Sequence, residues 1–362
     1  MSVVLLVGGA GYAGSVLAGE LLEQGYAIRI LDRLYFGDQG LADIRDRVEL
    51  VVGDVRSVPP DVLDDVETVI NVGGISNDPT AEFNPRANHD INTTASVALA
   101  RICRERGVRR YVYTSSCSVY DRGVLDEGQD VVADETFPVD PPGAYARSKL
   151  AAERQLLPMA STDFCVSVLR LGTLFGFSRR MRYDLVVNTF VKDALYRGRI
   201  VLHSGGEMWR PLTDVRDAAR ACLTLLRADP SRVTGQVYNG VHRNFRISEL
   251  ALRVRSALMG VAVPVEIEAD YGHRSIRNYR VSNRKLLEEL KVQPALTVED
   301  SVRHMVESIR RYGYEDYENP IYYNIVWLRL LEQAHSVIRI TGGVLEAPAA
   351  EGPGGPVRVL PP

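Results

Sequence analysis

The strongest constraint on the fold is a glycine-rich turn that directly follows an apolar run near the N-terminus. The segment GGAGYAG places glycines at positions 8, 11 and 14, immediately after SVVLLV and before the amphipathic stretch YAGSVLAGELLEQ. Gly8 permits the tight turn, Gly11 lets the backbone approach a pyrophosphate, and Gly14 lets the following helix pack on the strand. The helix N-terminus then presents free N–H groups to an anion. The turn therefore predicts a dinucleotide site.

Four further β-rich runs alternate with helical stretches over the first third of the chain. They are AIRILD, VELVVGD, ETVINVGG and RRYVYTSS, and a predicted helix, NHDINTTASVALARICRER, precedes the last of them. Runs without polar alternation are typical of parallel strands buried on both faces. The pattern predicts an α/β fold built on a Rossmann-type, doubly wound parallel sheet.

A carboxylate at the end of the second predicted strand indicates which dinucleotide binds. Asp32 follows Gly14 by 18 residues, where it can accept hydrogen bonds from the two hydroxyls of an adenosine ribose and repel a 2′-phosphate. We therefore expect NAD rather than NADP, although Arg33 weakens that preference slightly. Asp54, in VVGDVR after the third strand, either contacts the adenine or caps a turn.

The alternation loosens after residue 170. We expect residues 1–170 to form the NAD-binding Rossmann domain, with later strands returning to it, and residues 171–340 to form mainly a smaller C-terminal α/β domain that binds the substrate. The TVED segment at 297–300 predicts a capping box that opens a helix to about Arg311. The IYYNIVWLRLL segment predicts a helix packed on the body of the protein or on a second subunit. Residues 341–362, with five prolines and five glycines, predict a flexible tail.

The composition excludes several classes of protein. Lys plus Arg number 43 against 46 Asp plus Glu, and a net charge of −3 gives no general attraction to nucleic acids or membranes. The four cysteines form no CxxC pair, so neither a metal site nor a disulfide framework is expected, and a reducing cytoplasm fits. No apolar run approaches the ~20 residues of a membrane span, and the N-terminal run lacks the basic region of a signal peptide.

Hydroxyl side chains cluster at the end of the fifth predicted strand, in TSSCSVYD at 114–121. The carboxyl end of such a strand opens into the crevice where parallel sheets bind ligands, which places Ser116 there. Tyr145 and Lys149 of YARSK lie four residues apart, on one face of a helix. An adjacent ammonium, together with the positive nicotinamide ring of NAD⁺, should lower the phenol pKa from its usual ~10. Tyr145 could then take the proton of a substrate alcohol while hydride leaves the same carbon, with Ser116 holding the oxygen.

This order of motifs closely resembles the extended short-chain dehydrogenase/reductase family, and within it the NAD-dependent epimerase/dehydratases of nucleotide sugars. The resemblance covers about residues 1–310 and also rests on GDVR, SNDPTAEFNP, LRLGTLFG, DLVVNTFV and WRPLTDVRDAARA. It implies that Asn92 supports the active-site backbone. The expected cofactor contacts are Gly8, Gly11, Tyr12, Ala13, Asp32, Asp54, Val55, Gly73, Gly74, Thr114, Tyr145 and Lys149.

The resemblance also implies a nucleotide-diphosphate sugar as substrate. Asn188 and Arg210 would hold the diphosphate, with a further arginine, Arg274 or Arg277. The expected substrate contacts are Ser76, Ser116, Cys117, Thr173, Asn188, Arg210 and Arg277. Related enzymes pair as homodimers through two helices, here NHDINTTASVALARICRER and the helix that carries YARSK.

The residues after the hydroxyl cluster bear on the reaction. The 4,6-dehydratases of the family carry an Asp–Glu pair where this chain has Cys117 and Ser118. This argues against a dehydratase, unless Asp121 or another acid substitutes. Cys117 lies one position away from the acid/base cysteine of the 3,5-epimerases, so we interpret it as a packed thiol. Thr173 and Phe177 replace an asparagine and a proline common in relatives, which leaves the sugar open.

We therefore expect a nucleotide-sugar epimerase that acts at C4 through a transient keto-sugar and tightly bound NAD. A ketoreductase and an atypical dehydratase remain alternatives, because the same Ser–Tyr–Lys residues serve each of them. Outside these classes, a non-catalytic NAD-binding sensor would keep its function without Tyr145. No nucleic acid or membrane partner is expected.

Overall fold

The computed structural model describes residues 3–121, 131–272 and 277–341. Its strands are β1 (Val3–Val7), β2 (Ala27–Asp32), β3 (Glu49–Val52), β4 (Val66–Asn71), β5 (Arg110–Ser116), β6 (Val132–Ala133), β7 (Cys165–Leu171), β8 (Thr173–Phe175), β9 (Arg199–His203), β10 (Trp209–Asp214), β11 (Gln236–Gly240), β12 (Arg243–Arg246), β13 (Glu266–Asp270) and β14 (Arg280–Val281). Its helices are α1 (Tyr12–Glu23), α2 (Asp78–Phe83), α3 (Pro85–His89), α4 (Ser96–Glu105), α5 (Ala144–Leu156), α6 (Val186–Arg197), α7 (Val215–Arg227), α8 (Pro230–Val233), α9 (Ile247–Met259), α10 (Arg284–Leu290), α11 (Val298–Tyr312) and α12 (Asn324–Thr341).

Seven parallel strands form the central sheet, in the order β11-β7-β5-β4-β1-β2-β3. The five strands predicted from the first third of the chain all belong to it, and helices pack on both faces. Strand order reverses between β1 and β4, so the crevice at the switch point opens beside the carboxyl ends of these strands. The predicted Rossmann-type sheet is confirmed.

The last strand of the sheet comes from the second half of the chain. β11 pairs with β7, and α7 packs on α1, so the segment from α7 to β11 belongs to the sheet layers. Helices α6, α9 and α11 surround a separate apolar core, whereas α10 packs on β11 of the sheet. The predicted return of later strands is present, and the domain border at residue 170 stays a prediction.

The predicted helix before β5 is divided in the structure. α3 and α4 are joined by a π-helical turn over residues 90–95. In that wide turn, the carbonyl of Asn92 accepts a hydrogen bond from the Tyr113 hydroxyl (3.0 Å). A side chain of β5 thus donates a hydrogen bond to the backbone of this turn. π-Helical turns often occur near functional sites.

Helix α11, near the C-terminus, begins and ends close to where the sequence predicts. Thr297 and Asp300 form the predicted capping box, and α11 ends at Gly313, whose positive φ of 72° favours glycine. The segment around IYYNIVWLRLL forms a short turn followed by α12. In the part of the chain that the structure describes, no helix combines the length and apolarity that crossing a membrane requires. The predicted flexible tail lies outside the described residues from residue 342 onwards.

Candidate active site

A cavity of about 1080 Å³ opens at the carboxyl ends of the central strands and extends beneath the later elements. Nearly all the residues predicted to bind cofactor or substrate line it. These are Gly8, Gly11, Tyr12, Ala13, Asp32, Asp54, Val55, Gly73, Gly74, Ser76, Thr114, Ser116, Tyr145, Lys149, Thr173, Arg210 and Arg277. Cys117 and Asn188 are not among the lining residues, and Arg274 lies outside the described residues.

The glycine turn brings backbone atoms too close together for any side chain. A Cβ on Gly8, whose φ is +78°, would lie 2.5 Å from the Cα of Gly73, and a Cβ on Gly14 would lie 2.0 Å from the Gly8 carbonyl oxygen. α1 begins directly after Gly11 and has no acidic residue in its first turn. The turn therefore forms a backbone cradle that suits a pyrophosphate at a helix N-terminus.

Tyr12 directs its side chain away from that cradle. Its hydroxyl donates to the carbonyl of Gly176 (2.7 Å), and burial raises its pKa. The Tyr12 side chain therefore connects α1 to the later half of the chain. A contact between Tyr12 and a cofactor would come from its backbone.

Two carboxylates stand at the ends of β2 and β3. Asp32 accepts hydrogen bonds from the backbone N–H groups of Ala10 (3.0 Å) and Leu34 (2.8 Å), and burial raises its pKa. Partial burial would raise the pKa of Asp54 as well, but hydrogen bonds from Arg56 outweigh it and lower the pKa to about 2. Asp54 also caps a turn through the N–H of Arg56 (2.9 Å) and pairs with Arg33. Arg33 thus forms an ion pair with Asp54 beside the position expected for the ribose.

Ser116, Tyr145 and Lys149 meet at one point of the cavity. Ser116 ends β5, while Tyr145 and Lys149 project from the first two turns of α5. Lys149 Nζ donates to the Thr114 carbonyl (3.0 Å) and lies 4.8 Å from the Tyr113 ring centroid. This contact fixes α5 against the end of β5, and it keeps the three predicted catalytic side chains together.

The charges around Tyr145 differ from the prediction. Burial raises the Tyr145 pKa, while a hydrogen bond with Ser116 and the positive charge of Arg182 oppose that rise. Burial lowers the pKa of Lys149 from 10.5 to about 8, against the opposing charge of Glu153. Arg182, rather than Lys149, is thus the cation that opposes the rise in the Tyr145 pKa, and the combined effect predicted for Lys149 and the nicotinamide ring of NAD⁺ stays a prediction.

Arg182 is the most important site residue that the sequence analysis missed. Its guanidinium holds Asp184 through two hydrogen bonds (2.8 and 3.0 Å) and donates to the Ser76 hydroxyl (3.1 Å). Arg180, two residues earlier, donates to the Asn324 side chain (2.6 Å) and lies 3.7 Å from the Phe36 ring centroid. Burial lowers the Arg180 pKa to about 9. Three arginines within SRRMRYD, at 178–184, were the available signal.

Two predicted substrate contacts are corrected by their burial. The Asn188 side chain accepts from the Gly176 N–H (3.0 Å) and donates to the Arg182 carbonyl (2.9 Å), so it supports the cavity wall from behind. Cys117 is fully buried, its thiol contacts the Arg170 carbonyl (3.2 Å), and burial raises its pKa. The interpretation of Cys117 as a packed thiol is confirmed, and its place among the substrate contacts is wrong.

The hydroxyl cluster continues beyond Ser116. The Ser118 hydroxyl donates to the Ser116 hydroxyl (2.9 Å), and both residues line the cavity. Asp121, the acid that could have replaced the dehydratase pair, lies 3.6 Å from the guanidinium of Arg277. It thus lies beside Arg277 and is not among the lining residues.

Two predicted diphosphate ligands line the far part of the cavity. Arg277 also pairs with Asp78, and its carbonyl accepts a hydrogen bond from Arg210. Burial lowers the Arg210 pKa. The two guanidinium groups lie on adjoining segments, where they can reach one anionic group together. Asn92 occupies its expected supporting position, because its side chain bonds both the N–H and the carbonyl of Ile75 (2.9 Å each).

Comparison with known proteins gives a consistent result. A family model described as the NAD dependent epimerase/dehydratase family matches residues 4–239. A putative UDP-glucose 4-epimerase of Methanocaldococcus jannaschii is 27% identical over 62% of this chain and 73% of its own length. A UDP-N-acetyl-alpha-D-glucosaminuronate decarboxylase of Bacillus cytotoxicus is 24% identical over 84% of this chain and 97% of its own. The crystal structure of UDP-glucose 4-epimerase from Thermotoga maritima with UDP-glucose has a TM-score of 0.73 at 21% identity, covering 86% of this chain and 99% of that one.

Proposed function

The chain belongs to the NAD dependent epimerase/dehydratase family, and on that premise we propose that it is a nucleotide-sugar epimerase that inverts C4. Bound NAD supplies a hydride acceptor and, in the second half of the reaction, a hydride donor. The glycine cradle and the Asp32 carboxylate fit this cofactor, because the cradle leaves room for a pyrophosphate and no room for side chains.

The observation that carries the proposal is that Ser116, Tyr145 and Lys149 line the cavity together at the carboxyl end of β5. In the first half of the reaction, Tyr145 takes the proton of the C4 hydroxyl while Ser116 hydrogen-bonds the same oxygen. By its charge, Arg182 stabilises the Tyr145 phenolate that accepts this proton, and the hydride of C4 would pass to NAD. In the second half, after the keto-sugar has turned in the cavity, Tyr145 returns the proton to the C4 oxygen, and the hydride would return to the opposite face of C4.

The neighbouring residues favour epimerisation over dehydration. A dehydratase must remove a proton from C5 and protonate the departing C6 oxygen. The two positions that would carry these acids hold the buried Cys117 and Ser118, which bonds Ser116. Arg210 and Arg277 would hold the diphosphate, and Thr173 would contact the sugar.

We also propose a homodimer in the cytoplasm. The helices that would pair in related enzymes are α4 and α5, whose exposed positions include Arg101, Arg104, Arg147 and Arg154. These are charged rather than apolar positions, so the homodimer is supported by the resemblance alone. Sedimentation velocity of the purified protein would measure its association state.

The test combines cofactor analysis with NMR. Denaturing the purified protein and measuring released NAD gives the stoichiometry, and we expect about one NAD per chain. Incubation with UDP-, GDP-, dTDP- and CDP-sugars in deuterated water should invert C4 without incorporating deuterium. Deuterium at C3 or C5 would overturn the mechanism, and stoichiometric consumption of added NADH with a keto-sugar would establish a reductase instead.

Replacement of the phenol separates an enzyme from a sensor. Tyr145→Phe should lower kcat by about 10²–10⁴ because it removes the acid/base group. NAD should still copurify with the variant, since only the hydroxyl contact of Tyr145 is lost and the expected contacts of the glycine turn and Asp32 are retained. A variant with unchanged turnover would refute the catalytic role of Tyr145.

A further inference from the structure

The C-terminal helix α12 begins inside the active-site structure. Asn324, its first residue, is 6% exposed and bonds three partners from distant parts of the chain. Its backbone N–H donates to Asp184 (3.2 Å), its side-chain oxygen accepts from Arg180 (2.6 Å), and its side-chain nitrogen donates to Ser76 (2.9 Å). The start of α12 is therefore fixed to residues that surround Arg182, because Asp184 and Ser76 also bond that guanidinium.

From this anchor, α12 crosses the mouth of the cavity. The Trp327 indole N–H donates to the carbonyl of Tyr35 (2.6 Å), in the loop that follows β2 and Asp32. On the other side, the Arg329 guanidinium lies 5.3 Å from the ring centroid of Phe83, at the end of α2. Tyr35 and Phe83 themselves line the cavity, so α12 bridges two of its walls.

One face of α12 lines the cavity. Leu328, Leu331, Glu332 and His335 belong to the lining, and their spacing places them on one side of a helix. The opposite side carries Val326 and Leu330, which are 44% and 41% exposed. The inward leucines are half-buried, so they retain apolar surface that a bound molecule can cover.

The position of α12 matches the adenosine half of the dinucleotide site. The loop after β2, which α12 contacts at Tyr35, follows the carboxylate expected to bind the ribose. Arg56 and Val55 of the β3 end line the same cavity. The faces of an adenine ring are flat and apolar, so half-buried leucines are suitable partners for it.

We propose that Leu328 and Leu331 of α12 cover the adenosine of NAD and retain the cofactor between turnovers. This inference rests on the proposed function, because an epimerase regenerates its NAD within each cycle and has no need to release it. Exchange of the cofactor would require α12 to separate from Tyr35.

The experiment compares the two faces of one helix. The double variant Leu328→Ala/Leu331→Ala removes the inward apolar surface, and Val326→Ala/Leu330→Ala is its matched control on the outward face. NAD dissociation is followed by displacement with excess fluorescent etheno-NAD, a measurement independent of turnover. We expect the inward variant to release NAD at least about tenfold faster than the wild type, and the outward variant to match the wild type.

Two results would overturn the inference. One is equal release from the inward variant and the wild type. The other is equally fast release from both variants, which would assign the effect to the stability of the helix itself. If the inward variant misfolds, two truncated chains test the same inference. A chain that ends after Trp327 should release NAD rapidly, whereas a chain that ends after Thr341 should release it as slowly as the wild type. Failure of the proposed function would appear separately, as wild-type protein without NAD or as full turnover in Tyr145→Phe.

Discussion

The two walls of the cavity are held together in different ways. One wall, the sheet wall, is formed by the carboxyl ends of the central strands and by α5. There Asp32 bonds the N–H of Leu34, two residues away, and Lys149 bonds the carbonyl of Thr114, 35 residues away. On the opposite wall, Arg180 and Asn324 are separated by 144 residues, and Ser76 and Asn324 by 248. Strand ends and helix faces determine the first wall, whereas the second depends on polar contacts that form only when the chain is completely folded.

The second wall also contains buried charges, which makes it sensitive to single substitutions. Arg180 and Arg182 are 5% and 7% exposed. A buried cation is tolerated when carboxylates and amides hydrogen-bond it, and removal of one partner leaves the other charge uncompensated. We therefore expect the largest losses of stability on this wall.

Arg182→Met should have the largest effect on stability. The change leaves Asp184 buried without its bidentate partner, and we expect the free energy of unfolding to fall by about 3–5 kcal/mol. Urea denaturation measures this loss. Asn92→Ala, the matched change on the sheet wall, should cost about 1–3 kcal/mol because it removes neutral hydrogen bonds only. If the two variants lose equal amounts, the two walls do not differ as described.

The pH dependence of stability should reveal the buried Lys149. Burial lowers its pKa to about 8, whereas an unfolded lysine has a pKa of ~10.4. Between these values the unfolded chain binds a proton at Lys149 that the folded protein does not, so the contribution of Lys149 to the free energy of unfolding should rise with pH, by about 2 kcal/mol from pH 8 to pH 10. Denaturation of the wild type and Lys149→Met across this window measures it. Parallel curves for the two proteins would contradict the prediction.

Two glycines of α1 offer a sharper test of the sheet wall. A Cβ on Gly14 would lie 2.0 Å from the Gly8 carbonyl oxygen, whereas a Cβ on Gly19 would meet nothing within 4 Å. Gly14→Ala should lower stability by about 1–3 kcal/mol through overpacking and should weaken NAD binding. Gly19→Ala should raise stability by up to about 1 kcal/mol, because alanine favours a helix more than glycine does. Thermal unfolding and calorimetric titration with NAD measure the two effects; a tolerated Gly14→Ala would refute the close approach.

Cys117→Ala should have the smallest effect of these substitutions. The thiol is buried and bonds a backbone carbonyl, so its loss should lower stability by about 1 kcal/mol and leave kcat within about twofold. Steady-state kinetics on the nucleotide sugar identified by NMR gives the second value. A loss of kcat comparable to that of Tyr145→Phe would show that Cys117 takes part in proton transfer.

The sheet and most of the cavity lining could be predicted because short-range rules determine them. Four-residue spacing places Tyr145 and Lys149 on one helix face, and the end of β5 places Ser116 in the crevice. The π-helical turn at 90–95 could not be predicted, because it contains a hydrogen bond that local sequence does not reveal. The hydroxyl of Tyr113, on β5, donates to the carbonyl of Asn92 within the turn.

The errors on the second wall have a common physical cause. Asn188 resembled a ligand in the sequence, but the N–H of Gly176 already occupies its side-chain oxygen. Arg180 and Arg182 were not expected inside the protein, because a buried arginine requires partners. Those partners, Asn324 and Ser76, are identified only by the folded chain.

Because β11 is the edge strand beside β7, the central sheet is completed only late in the synthesis of the chain. Until residue 240 has left the ribosome, β7 is the outermost strand of the sheet, and its unpaired N–H and C=O groups stand beside an almost fully buried apolar run. Such an edge invites pairing with another chain. We therefore expect a fragment that ends after β7, at residue 171, to aggregate more readily than one that includes β11.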